Sequence, residues 1–215
     1  MNVPISIQPS SPTIAPLAAE LLYLTMGHTA DYLFGGDDPL AARRTLERLF
    51  RVPSTYFSYQ YTDTILLSGK VAGLVLAYPG KTLSALELPT AWRLLQSVGF
   101  AAFTRFLWRV LPFANIKEAE DDEFFISNLA VLPECQGQGL GTAMLAACDQ
   151  KARERGFTKV SLTVDVENRR AFALYQRTGF QVVSTQQIEP LRRRYGYQGL
   201  HRMVKELEKT NARPS

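Results

Sequence analysis

Leu129-Ala-Val-Leu-Pro-Glu-Cys-Gln-Gly-Gln-Gly-Leu-Gly141 reads as a strand that runs into a glycine-rich turn and opens a helix. Phe124 to Val131 is almost wholly apolar or β-branched, as a strand buried on both faces requires. Pro133 ends that ladder because it has no N–H to donate. Leu140 to Arg155 follows with Leu140, Met144 and Cys148 on one stripe, and Gly156 is its stop. Gly137, Gly139 and Gly141 leave the backbone bare, and free N–H groups and the helix dipole point at the turn. The arrangement predicts an anion site for a pyrophosphate.

The glycine spacing excludes two common phosphate sites. A dinucleotide fingerprint needs G-x-G-x-x-G, and its third glycine position here is Thr142. A P-loop needs G-x-x-x-x-G-K-[ST]. Gly80-Lys81-Thr82 supplies the end of that pattern, but Val75 stands where the leading glycine belongs, so Gly80-Lys81 reads as a turn after a strand.

A second motif lies downstream. Val160-Ser-Leu-Thr-Val-Asp-Val166 alternates as a strand, Asn168 is placed to cap a helix over Arg169 to Thr178, and Gly179 ends it. Phe180-Gln-Val-Val183 then restarts a strand.

Together, Gln136-Gly-x-Gly-Leu-Gly141 and Asn168-x-x-Ala171-x-x-x-Tyr175-x-x-x-Gly179-Phe180 resemble the GNAT superfamily of acyl-CoA-dependent N-acetyltransferases. The resemblance is strongest over about 123–183. It implies that the turn amides, from Gln136, Gly137, Gln138, Gly139, Leu140, Gly141 and Thr142, hold the coenzyme A pyrophosphate. It also implies that Leu129, Ala130 and Val131 lend main-chain groups to the pantetheine arm, that Asn168 and Ala171 meet the same arm, and that Tyr175 protonates the departing thiolate.

The chemistry suits these residue types. An ammonium has no lone pair, and a lysine-like amine titrates near ~10.4, so a base or a desolvating pocket must help. Many family members place that base at the position of Phe125 here. Glu123, two residues earlier on the same strand face, and Asp165, at the end of the next parallel strand, are the carboxylates that stand nearest in pattern. A water chain is the third route. Cys135 belongs to the glycine turn rather than the thioester end, which argues for direct attack. The rival class is a non-catalytic acyl-CoA-binding sensor or scaffold, favoured by Phe125 and opposed by Tyr175.

The 215 residues suit one domain, and 46% hydrophobic residues allow a full core. The net charge of +4 is too small to argue for nucleic acid. Arg192-Arg193-Arg194 reads as a solvated loop. Two cysteines make neither a disulfide framework nor a metal site, which fits a reducing, cytoplasmic setting. The two histidines, His28 and His201, match no metal-ligand spacing, so no metal is expected; His28 is the outside candidate for the acceptor region.

Met1-Asn-Val-Pro4 lacks the features of a signal peptide. Val3 to Gln8, Tyr56 to Leu67, Val71 to Tyr78 and Gly199 to Leu207 read as strands, with Ser68-Gly69-Lys70 as a hairpin turn. Thr13 to Thr25 and Pro39 to Phe50 read as helices, and the residues from Lys209 as a frayed tail. Between about 80 and 121 lies a helical insertion, centred on 86–113, with Thr90 to Leu111 as one or two helices that break at Gly99. Its arginines make it a poor membrane span, since a central Arg costs about 2.5–3.5 kcal/mol. Its aromatic residues suit a cap on the core, a lid over the acceptor, or a homodimer contact.

The expectation is therefore a single α/β (α+β) domain of GNAT type, with a mixed, mostly antiparallel sheet flanked by helices. The expected reaction is transfer of an acetyl group from acetyl-CoA to a small-molecule or peptide primary amine. No nucleic acid or membrane span is expected.

Overall fold

The computed structural model describes residues 4–36 and 38–208. In chain order these form β1 (Ile5–Pro9), α1 (Ala15–Met26), the single turn α2 (His28–Ala30), α3 (Pro39–Arg51), β2 (Thr62–Leu67), β3 (Lys70–Pro79), α4 (Thr82–Val98) and α5 (Phe100–Val110). They continue as β4 (Glu123–Val131), α6 (Leu140–Glu154), β5 (Lys159–Asp165), α7 (Arg169–Arg177), β6 (Gln181–Gln186), α8 (Glu189–Tyr195) and β7 (Leu200–Glu206). The seven strands make one sheet in the order β1-β2-β3-β4-β5-β7-β6, and only β4 and β5 run parallel.

Local chemistry explains the joints. Ser68 and Gly69 both have positive φ (51° and 76°), the pattern of a two-residue turn whose twist matches the strands it joins. Asp38 accepts the Leu40 N–H at 2.9 Å to start α3. Gly99, at φ 77°, separates α4 from α5, as its position predicts.

Strand alternation sends two cores to opposite faces of the sheet. Phe124, Ile126, Val160, Leu162 and Met203 pack with Leu140, Met144 and Cys148 of α6. Leu74, Leu76, Tyr78 and Phe125 pack with Leu21, Leu22, Leu46 and Leu86 from α1, α3 and α4.

Four expectations are corrected. Tyr56 to Tyr61 is a loop closed by a 3-10 turn at Tyr59–Tyr61, because Thr62 and Ser58 satisfy one another locally. The insertion's first helix begins at Thr82 rather than near 86–90 and contains Pro89; burial of Leu86, Thr90 and Leu94 offsets the lost backbone bond. Arg192 to Arg194 form the end of α8 rather than a loop, because Glu189 pairs with Arg192 and Arg193 one turn on and Gly196 ends the helix. The first strand is Ile5–Pro9; Val3 and the tail from Lys209 lie outside the described residues.

No helix among the described residues is long and apolar enough to cross a membrane.

Candidate active site

The site begins where two parallel strands part. The hydrogen-bonded register of β4 with β5 runs from Glu123–Lys159 to Ile126–Leu162 and stops there. On its other side β4 pairs with β3 at Ile126 and again at Asn128, so Ser127 is an extra residue, a β-bulge. A bulge bends and twists its strand. β4 therefore leans away from β5, and Leu129, Ala130 and Val131 edge the cleft between them.

The cleft opens into a cavity of about 1330 Å³ that extends from the glycine turn to the cap made by α4 and α5. All the residues expected to meet the coenzyme lie on its wall except Gln138, which is exposed beside it. Gly137 and Gly139 have positive φ (82° and 78°), and a Cβ on either would stand in open space. Their amides, and that of Gln138, donate to no main-chain carbonyl among the described residues. Gly141 serves packing instead, since a Cβ there would come within 2.9 Å of the Leu174 side chain on α7.

Gln136 braces this turn. Its Nε2 donates to the Val131 carbonyl at 3.1 Å, and its Oε1 accepts from Arg170 on α7. Asn168 Oδ1 accepts the Ala171 N–H at 3.1 Å, the predicted cap. Tyr175, two turns along, is buried against Phe180, with ring centroids 6.0 Å apart, and lies on the cavity wall. Burial pushes its hydroxyl up to about 12, and the hydroxyl has no hydrogen-bond partner among the described residues.

The two carboxylates expected as bases are placed differently. Asp165 lies on the cavity wall and accepts a hydrogen bond from the Tyr197 hydroxyl; burial raises its pKa against that bond. Glu123 is off the wall, at the start of β4, buried in an ion pair with Arg202 and accepting the Glu120 N–H at 2.9 Å. His28 stacks on Tyr195, with centroids 4.5 Å apart, and is mostly exposed.

The sequence reading passed over Glu118. It belongs to the acid-rich run Glu118-Ala-Glu-Asp-Asp-Glu123, and that run was its only signal. Glu118 lines the cavity and is accessible there although protein surrounds it, and burial raises its pKa. No group of three or more potential metal ligands occurs among the described residues.

Comparison with known proteins agrees with this geometry. The model of the Acetyltransferase (GNAT) family matches residues 28–180, and the chain belongs to that family. A mycothiol acetyltransferase of Beutenbergia cavernae is 34% identical over 96 residues, 45% of this chain and 30% of that protein. An uncharacterized N-acetyltransferase of Bacillus subtilis is 41% identical over 64 residues, 30% of this chain and 41% of that protein. The chain thus matches less than half the length of either relative. The crystal structure of an N-acetyltransferase from Staphylococcus aureus Mu50 superposes with a TM-score of 0.70 at 21% identity, covering 93% of this chain and 99% of that one. A GNAT family acetyltransferase from Elizabethkingia anophelis with acetyl-CoA bound superposes at 0.54 and 14% identity, covering 94% and 98%. At these identities the likeness is one of fold.

Proposed function

We propose that this GNAT acetyltransferase moves the acetyl group of acetyl-CoA directly to a primary amine. The observation that carries the proposal is the cavity whose wall includes the parted β4–β5 edge, the bare glycine turn and Tyr175. The residues present fit the coenzyme. Open space over Gly137 and Gly139 suits a diphosphate held on backbone amides, and Arg170 and Arg177 on the same wall add positive charge. The free edge of Leu129 to Val131 suits an arm that needs main-chain partners.

Each side chain then has one task. Gln136 and Arg170 keep the turn in place, and Asn168 starts α7 so that Tyr175 faces the cleft. Acyl transfer requires that a thiolate leave, and a hydroxyl that stays protonated near neutrality can give it a proton. Cys135 lies on the wall at the turn, among the groups assigned to phosphate, which argues against an acetyl-cysteine route.

The test is thiol release from acetyl-CoA with a panel of primary amines, with Gly139→Asp as the control that removes the coenzyme site. Binding of acetyl-CoA without acetylation of any amine would leave only a binding module.

A further inference from the structure

The cavity wall carries Arg170 and Arg177 on α7, which follows the glycine-turn motif, and Glu87 on α4 with Lys117, Glu118 and Asp121 on the segment after α5. None of these three carboxylates has a salt bridge or a side-chain hydrogen bond among the described residues. The nearby cation Lys117 is engaged with Glu120 at 2.7 Å. The same wall is partly aromatic. Phe34 meets Phe57 edge-on at 5.9 Å and stacks on Phe106 at 5.8 Å, and Leu107 and Leu111 extend the same surface.

We infer that the acceptor is a small cationic amine on an apolar aryl or alkyl body, and that Glu118 receives its ammonium and takes its proton. The inference rests on the acetyltransferase reading and deepens it. Glu118 is exposed on the cavity wall, so its carboxylate stands open to an arriving cation. Asp165 on the wall is engaged by Tyr197, and Glu123, off the wall, by Arg202; Glu87 and Asp121 share the wall with Glu118. Arg202 also donates from Nε to the Glu118 carbonyl at 3.2 Å, which fixes that stretch of backbone. A polyamine or an aminoglycoside would bury further charges or hydroxyls against the phenylalanines. An acidic amine would meet three carboxylates.

The step balances. The ammonium gives one proton to Glu118; the lone pair forms the C–N bond as the C–S bond breaks; the thiolate takes the Tyr175 proton. The second amine proton returns to the Tyr175 oxygen, and Glu118 releases its proton to solvent. The groups around Glu118 are Tyr56 from the loop after α3, Tyr78 from β3, Glu87 from α4, Arg202 from β7, and Lys117, Glu120 and Asp121 on its own segment. Burial raises the pKa of both tyrosines, and Glu118 adds to it, so they remain neutral while Glu118 titrates.

The test compares 2-phenylethylamine and hexylamine with spermidine, an aminoglycoside and glutamate, in wild type, Glu118→Gln and Glu118→Asp. Expected kcat/KM for the first two amines exceeds that for the others by about tenfold or more, the scale of one well-filled apolar contact. Glu118→Gln lowers it by about 10²-fold or more and removes the acidic limb of its pH profile, while calorimetry shows unchanged acetyl-CoA binding. Glu118→Asp restores the acidic limb. Preference for spermidine or glutamate, or a full acidic limb in Glu118→Gln, overturns the inference and leaves the acetyltransferase reading intact. Absence of any acetylation by wild type overturns both.

Discussion

Arg202 on β7 holds the carboxylate of Glu123 on β4 across the intervening strand β5, with both oxygens engaged and both side chains buried. This pair makes Glu123 a structural anchor at the far end of the strand that edges the cleft.

Removal of one partner leaves a buried charge uncompensated. Arg202→Met is therefore expected to destabilise the fold by about 3–5 kcal/mol, read from urea unfolding. Glu123→Gln is expected to lower stability too, but to keep the acidic limb of kcat/KM. Loss of that limb with wild-type stability would assign the base to Glu123 instead.

The glycine turn separates binding from packing. Gly139→Asp puts a carboxylate where the phosphates are proposed to lie, and calorimetry should show acetyl-CoA affinity reduced by at least about tenfold, a little over 1.4 kcal/mol. Its φ of 78° adds a stability cost of about 1–2 kcal/mol. Gly141→Ala instead pushes on the flexible end of Leu174, so a small fall in melting temperature with a raised KM for acetyl-CoA is expected.

Tyr175→Phe keeps the ring on Phe180 and deletes only the hydroxyl. A fall in kcat of about 10²–10⁴-fold is expected, with melting temperature and acetyl-CoA affinity near wild type. The pH dependence has a definite sign. A proton donor whose pKa is pushed up to about 12 is lost only as pH rises through that value, so Tyr175 contributes no basic limb near neutrality. A basic limb below pH ~9 that disappears in Tyr175→Phe would contradict this environment.

The two thiols should differ in reactivity. Cys148 is buried in the core under α6, and burial pushes it up to about 12, so it should resist a disulfide reagent in the folded protein. Cys135, partly exposed on the cavity wall, should react. Acetyl-CoA should slow that reaction; equal rates with and without it would move the coenzyme away from the glycine turn.

Features built from short-range interactions were legible in the residues themselves. The cap of Asn168 on Ala171 spans three positions, Gly156 and Gly179 end their helices by their own backbone freedom, and Ser68-Gly69 encodes its hairpin turn. The parallel pairing of β4 with β5 was expected from the family resemblance that the two motifs carry. Tyr56 to Tyr61 was misread because its apolar pattern fits a strand as well as a packed loop. The 189–195 helix was missed because seven residues carry little periodic signal.

The sequence by itself determined the two motifs and the elements around them, since each depends on neighbours within a turn or two. Only the tertiary structure decided which carboxylates face the cavity. Glu123 was drawn out of it by Arg202, which lies 79 residues away. The Glu118 backbone is held by the same arginine at a separation of 84. Glu123 and Glu118 belong to one acid-rich run, and the strand pattern drew the reading to Glu123 alone. A long-range ion pair neutralises one, and the other, on the cavity wall, has no side-chain partner among the described residues.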